Sequence, residues 1–229
     1  MNHELETVPR SLSHLDTKKA ILRSQHCQRN WDLKAEIPKE DLDLFVTAVT
    51  QCPSKQNVAF YKAHFITNRS IIEKIHDQTD GFTVSYDPPK STTNTQVLAN
   101  LLVVFEETSL DLSTPYEQWR NTQTKDIAEN NLSNLELSKE LIKRDRQMAV
   151  GIAAGYLNLT ASLFGYSTGC CACFYPKGVK SILNLENDVL LLMGIGFGDP
   201  NLNRRVHHLD HQFTFPVKKK HDIEVNFIK

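Results

Sequence analysis

The chain has 229 residues, 40% of them hydrophobic and 23% charged, which is enough to enclose one large hydrophobic core. Its 26 Lys and Arg nearly balance 27 Asp and Glu, so no overall field favours nucleic acid or an anionic membrane. Any anion must therefore be held by a local cluster.

The opening MNHELETVPR lacks a basic stretch followed by an apolar run, so no signal peptide is expected. Residues 1–12 read as a loose tail. Residues 13–24 read as a helix with Leu15, Ile21 and Leu22 inward and Ser13 or Asp16 as its cap. Pro38 opens a second helix, with Leu42, Phe45, Val46 and Val49 inward. After a polar loop at 53–57, Tyr61, Ala63 and Phe65 alternate with Lys62 and His64, which predicts a strand. Asn68 caps a helix whose apolar face is Ile71, Ile72 and Ile75. Residues 85–95 read as a loop, and 101–107 as a buried strand.

From about 114 to 165 the pattern is helical in stretches, with a break near Asn130 and Asn131. Its last part, 143–164, is a long helix carrying Ala149, Gly151, Ala153, Ala154 and Gly155. Side chains that small permit close approach of a neighbouring helix. Asn158, Thr160 and Ser162 interrupt its most apolar part, so a buried helix is expected and not a membrane span. Gly165 ends it. A short helix at 176–184, a central strand at 188–197 and a strand-like tail at 221–229 follow. Helices and strands are interspersed without strict βαβ repetition. The fold class expected is α+β, or a mixed three-layer arrangement, in one domain.

Three clusters have the residue types for binding. Just past the first helix, Gln25, His26, Cys27 and Arg29 place cationic and hydrogen-bonding groups within five residues; in extended chain, 25, 27 and 29 project to one side. A phosphate calls for such partners, a fixed cation with several donors. The plainer reading is a solvated helix exit. In the loop Pro53, Ser54, Lys55, Gln56 and Asn57, amides and a hydroxyl suit the edge of a heterocycle, unless they merely cap a turn. Arg204 and Arg205, after the strongest strand, make a second basic point that would match a phosphate if it met Arg29.

Two other patterns carry less. CCAC (170–173) and HHLDH (207–211) offer zinc-type ligands, but only Cys170 and Cys173 have the paired spacing. The five cysteines are read as free thiols in a reducing, cytoplasmic setting. GIGFGD (194–199) mimics half of a dinucleotide fingerprint, yet a turn follows where the fingerprint needs a helix N-terminus.

Taken in order, the chain resembles the FMN-dependent nitroreductase family. The resemblance is carried by Gln25-His26-Cys27-Gln28-Arg29 with Trp31, by EIPKEDLDLFVTAV, by CPSKQNVAFYKAHFI, by the long small-residue helix ending in Gly165, and by the Gly-x-Gly strand with downstream Arg. It spans roughly residues 18 to 206. Gln25 and Cys27 stand where the family usually has Arg and Ser. The resemblance implies a three-layer α/β/α fold with a central, mostly antiparallel sheet, in an intertwined homodimer with FMN at two interfacial sites. The 143–164 helix would pack across the two-fold, and the extension 212–229 would be exchanged with the partner.

By the same resemblance, Gln25, His26, Cys27, Arg29, Arg204 and Arg205 would hold FMN, and residues 53–57 would grip it from the second subunit. Asn94 and Gln96, near Thr92, would meet the flavin's pyrimidine edge. Cys170, Cys171 and Ala172 would approach the ring near N5. NAD(P)H would reduce the flavin, and a small-molecule acceptor, a nitroaromatic or quinone, would reoxidise it in a ping-pong cycle. No side chain is nominated as a catalytic acid or base; Lys55 would stabilise the reduced flavin. Acceptor choice would lie in 108–140. Relatives that dehalogenate, reduce pteridines or fragment flavin define the nearest alternative. More remote are a zinc-stabilised binding protein and a flavin-free scaffold.

Overall fold

Alternating apolar side chains in Leu101–Glu107 point to opposite faces of the sheet, and each face has its own core. The computed structural model describes residues 14–84, 88–108 and 134–228, with side chains from 140 onward in the last segment. The expected tail at 1–12, the Ser13 cap and the break near Asn130–Asn131 lie outside the described residues. Among those described, four strands form one antiparallel sheet in the order β1-β4-β6-β5: β1 is Tyr61–Ile66, β4 Leu101–Glu107, β5 Ser167–Cys171 and β6 Val189–Gly196. The interior strands β4 and β6 are the most apolar, as strands covered on both faces require.

On one face Leu101, Val103, Phe105, Met193 and Ile195 pack against Phe45 and Val49 of α2 (Lys39–Thr50) and Val150, Ala153 and Leu157 of α4 (Asn134–Leu163). On the other, Leu102, Val104 and Leu192 meet Ile72 and Ile75 of α3 (Arg69–His76) and Val179 of α5 (Pro176–Leu183). The result is a three-layer α/β/α unit. The helix ends follow their sequences. Asn68 accepts a hydrogen bond from Ile71 N at 3.1 Å, Pro176 begins α5, and Gly165 takes φ +88° after α4.

Helix α1 (His14–Ser24) packs on α4 through polar stitches: Ser162 Oγ donates to Ala20 O at 2.8 Å and Asn158 Nδ2 to Ser24 O at 3.1 Å. Here the sequence reading needs correction. Of α1 only Ala20 is buried, whereas Leu15, Ile21 and Leu22 are 60%, 52% and 52% exposed. The side of α4 bearing Met148, Ile152 and Tyr156 is open too, and a Cβ built on Gly151 or Gly155 meets nothing within 4 Å.

Two further corrections concern local structure. The expected loop at 85–95 contains β3 (Lys90–Thr92), paired with β2 (Phe82–Val84), and a tight turn begins at Thr95. Residues 221–228 form no strand and stay exposed. The start of the extension packs on the rest of the chain. Phe213 and Phe215 are buried, with His207 N donating to Phe213 O at 2.8 Å and Phe215 N to Arg205 O at 2.8 Å.

Candidate functional site

Segment 25–32 follows α1 and is fixed by hydrogen bonds along its length. Gln28 N donates to Thr168 O (2.8 Å), Arg29 N to Arg204 O (2.9 Å) and Asp32 N to Phe197 O (2.9 Å). The Trp31 indole donates to Thr95 O at 3.0 Å, and Thr95 Oγ1 donates to Arg29 O at 2.8 Å. These bonds join two regions remote in sequence and bring Arg29 beside Arg204.

They border a groove of about 890 Å³, lined by Gln25, His26, Cys27 and Arg29 on one side and by Asn203–Arg205 and Phe215–Lys218 on the other, with β2 closing a third wall. Six of the sequence-predicted site residues therefore meet here: Gln25, His26, Cys27, Arg29, Arg204 and Arg205. Among the described residues no carboxylate pairs with Arg29, Arg204, Arg205 or Lys218. Unpaired cations around a concavity favour an anion.

The Arg29 guanidinium is held from two directions. It lies 4.4 Å from the Phe215 ring centroid, a cation–π contact, and it donates to Gln96 Oε1. Burial lowers its pKa, yet an arginine stays charged. Burial also lowers the pKa of His26, and nearby Arg204 and Lys220 act in the same direction.

Gln96 is wedged between two strands. A Cβ on Gly169 of β5 would come within 2.5 Å of Gln96 Cβ, and one on Gly194 of β6 within 2.1 Å of Gln96 O. Gly194 belongs to the GIGFGD run. Its glycine thus serves close backbone passage beneath the 95–97 turn, which is why the run resembles a nucleotide fingerprint without being one. Gln96 Nε2 donates to Asn94 Oδ1 (3.1 Å), and Asn94 Nδ2 to Asp80 O (2.7 Å). Asn94 and Gln96 are buried and their amides engaged by protein, so they position Arg29 and do not line the groove. The sequence offered no sign of that role, nor of Phe215.

The other predicted residues lie apart from the groove's lining. Cys170 and Ala172 are exposed. Cys171 faces the core, and burial pushes its thiol up to about 11, so it is no ready nucleophile. Among the described residues no group of three His, Cys, Asp or Glu is placed to hold a metal. In the 53–57 loop, Gln56 and Asn57 adopt φ of 57° and 55°, a left-handed conformation costly for residues with a Cβ. Both are exposed. Lys55 Nζ instead contacts Asp145 Oδ2 at 2.8 Å.

The chain thus folds as a three-layer α+β unit with a half-buried arginine cluster in a surface groove, an arrangement suited to an anion. Residues 22–198 match the Nitroreductase family, and the chain belongs to it. Solved structures share the fold. A provisionally named NAD(P)H:FMN oxidoreductase from Staphylococcus epidermidis is 18% identical, with 80% of this chain and 86% of that one covered at a TM-score of 0.54. A nitroreductase family protein from Streptococcus pneumoniae is 16% identical, covering 83% and 93% at 0.55. A provisionally named nitroreductase from Exiguobacterium sibiricum, in complex with FMN, is 14% identical, covering 82% and 89% at 0.56. No curated protein shows a significant match.

Proposed function

We propose that this protein is an FMN-dependent oxidoreductase that takes electrons from NAD(P)H and passes them to a small organic acceptor of the nitroaromatic or quinone type. The observation that carries the reading is the arginine cluster. Arg29, Arg204 and Arg205 converge on one groove without carboxylate partners among the described residues, and the FMN bound in the Exiguobacterium sibiricum structure carries a phosphate. The donor set fits: guanidinium groups bind phosphate through two parallel N–H bonds, and Gln25, His26 and Cys27 add further polar contacts. When bound, FMN supplies two-electron hydride chemistry. The chain's own residues bind, orient and screen it. Arg29, clamped by Phe215 and Gln96, keeps one orientation, so a ligand meets a preorganised charge.

The second part of the proposal is a homodimer. Leu15, Ile21 and Leu22 on α1, and Met148, Ile152 and Tyr156 with Gly151 and Gly155 on α4, are apolar or small and uncovered in one chain. Exposed apolar surface of that kind supports burial against a second copy. Gln56 and Asn57, strained and exposed, are the groups we assign to the partner's flavin. Ile223, Val225, Phe227 and Ile228 are the exposed residues of the extension available for exchange.

The test is direct. The purified protein should be yellow, release FMN on denaturation, bleach under NADPH or NADH without oxygen, and sediment as a dimer. A colourless protein that takes up no FMN on reconstitution refutes the proposal.

A further inference from the structure

The groove holds more positive charge than one phosphate requires. A phosphate monoester carries roughly −1.5 to −2 near neutral pH, which the three half-buried arginines already match. Beyond them Lys218 lines the groove, and Lys220 lies close enough to His26 to depress its pKa. Lys218 and Lys220 are exposed, and neither pairs with a carboxylate among the described residues. They follow directly on Phe215, whose burial anchors the segment at the groove. Phe82, Val84, Pro216 and Val217 also line it, an apolar wall suited to a flat base and ill suited to a lipid headgroup or a long polyanion.

We infer that Lys218 and Lys220 form a second phosphate-binding subsite at the mouth of this groove, and that its ligand is the 2′-phosphate that distinguishes NADPH from NADH. The inference rests on the flavin reading of the same groove. It divides the cations by type. Planar, half-buried arginines hold the resident phosphate bidentately. Exposed lysines, hydrated point charges on flexible stems, serve a phosphate that must arrive and leave in each cycle.

The experiment uses the full chain loaded with FMN and titrates adenosine 2′,5′-bisphosphate or 5′-AMP by calorimetry. The bisphosphate should bind about tenfold more tightly, the scale of two exposed charge pairs, and the gap should narrow as salt rises. In the double variant K218Q/K220Q most of the gap should vanish while FMN affinity holds. Equal binding of both nucleotides by the unaltered protein overturns the inference. So does a double variant that loses FMN instead of the bisphosphate, since the lysines would then belong to the resident phosphate. Failure of the flavin reading looks different: bisphosphate binding that depends on these lysines, in a protein that accepts no FMN, retains the subsite and removes the cofactor.

Discussion

Arg204→Ala isolates the phosphate contact from the fold. The Arg204 carbonyl accepts the Arg29 N–H at 2.9 Å, but that bond is made by backbone and survives the substitution. The side chain lines the groove and is half-buried, with no carboxylate partner among the described residues. Its loss should therefore leave the stability of the apoprotein within about 0.5 kcal/mol. A hydrogen bond to a charged group is worth about 1.5–3 kcal/mol, so FMN affinity should fall roughly 10- to 150-fold. The assay is quenching of flavin fluorescence on titration with apoprotein, run in parallel with riboflavin, which has the same ring and no phosphate. Riboflavin affinity should not change. An equal loss for both flavins, or none for FMN, would show that Arg204 does not read the phosphate.

Gly194→Ala should drive a methyl group into the Gln96 carbonyl, 2.1 Å from the new Cβ, and cost about 1–3 kcal/mol in chemical denaturation. Because Gln96 steadies Arg29, FMN affinity should fall with it. Glu106→Ala removes a buried carboxylate whose Oε1 accepts from Glu186 N at 3.1 Å and Asn187 N at 2.8 Å, while Oε2 meets His64 Nε2 at 2.8 Å. Burial alone would raise its pKa, but these partners and Lys62 outweigh it and hold the group below the usual range. The midpoint should drop by the equivalent of about 3 kcal/mol, with flavin affinity unchanged. Acid should loosen the extension. His207 Nδ1 accepts from Asp210 N at 2.9 Å and Leu209 N at 3.2 Å, so the ring is held neutral, with its pKa lowered by burial below 6.5. A depressed histidine pKa gives stability that is present above 6.5 and is lost as pH falls through the folded value. Tryptic cleavage at Lys218–Lys220 should accelerate below that pH, and unchanged cleavage rates down to pH 5 would refute the assignment.

Local patterns in the sequence were enough for most of the sheet and helices. Alternation at 61–65, the Asn68 cap and the run at 101–107 each reflect contacts within a few residues, and each became the element expected. Leu15, Ile21 and Leu22 show the limit of that reasoning. A helical stripe states that a face is to be covered, not what covers it, and among the described residues these three stay exposed. The meeting of Arg29 with Arg204 and Arg205 is a contact across the length of the chain, legible only through the order of motifs shared with a family. The contact of Gln96 with Arg29 was not legible, because a buried amide and a ligand-facing amide look alike in sequence. Only the glycines flanking it in space, Gly169 and Gly194, tell them apart.

The groove's two main walls come from opposite ends of the numbering, 25–29 and 203–218. A ribosome making this protein therefore completes nearly all of the sheet before the second wall exists. The complete groove therefore exists only once that late segment has emerged. A chain interrupted before 203 would carry every strand of the sheet yet lack the groove's second wall.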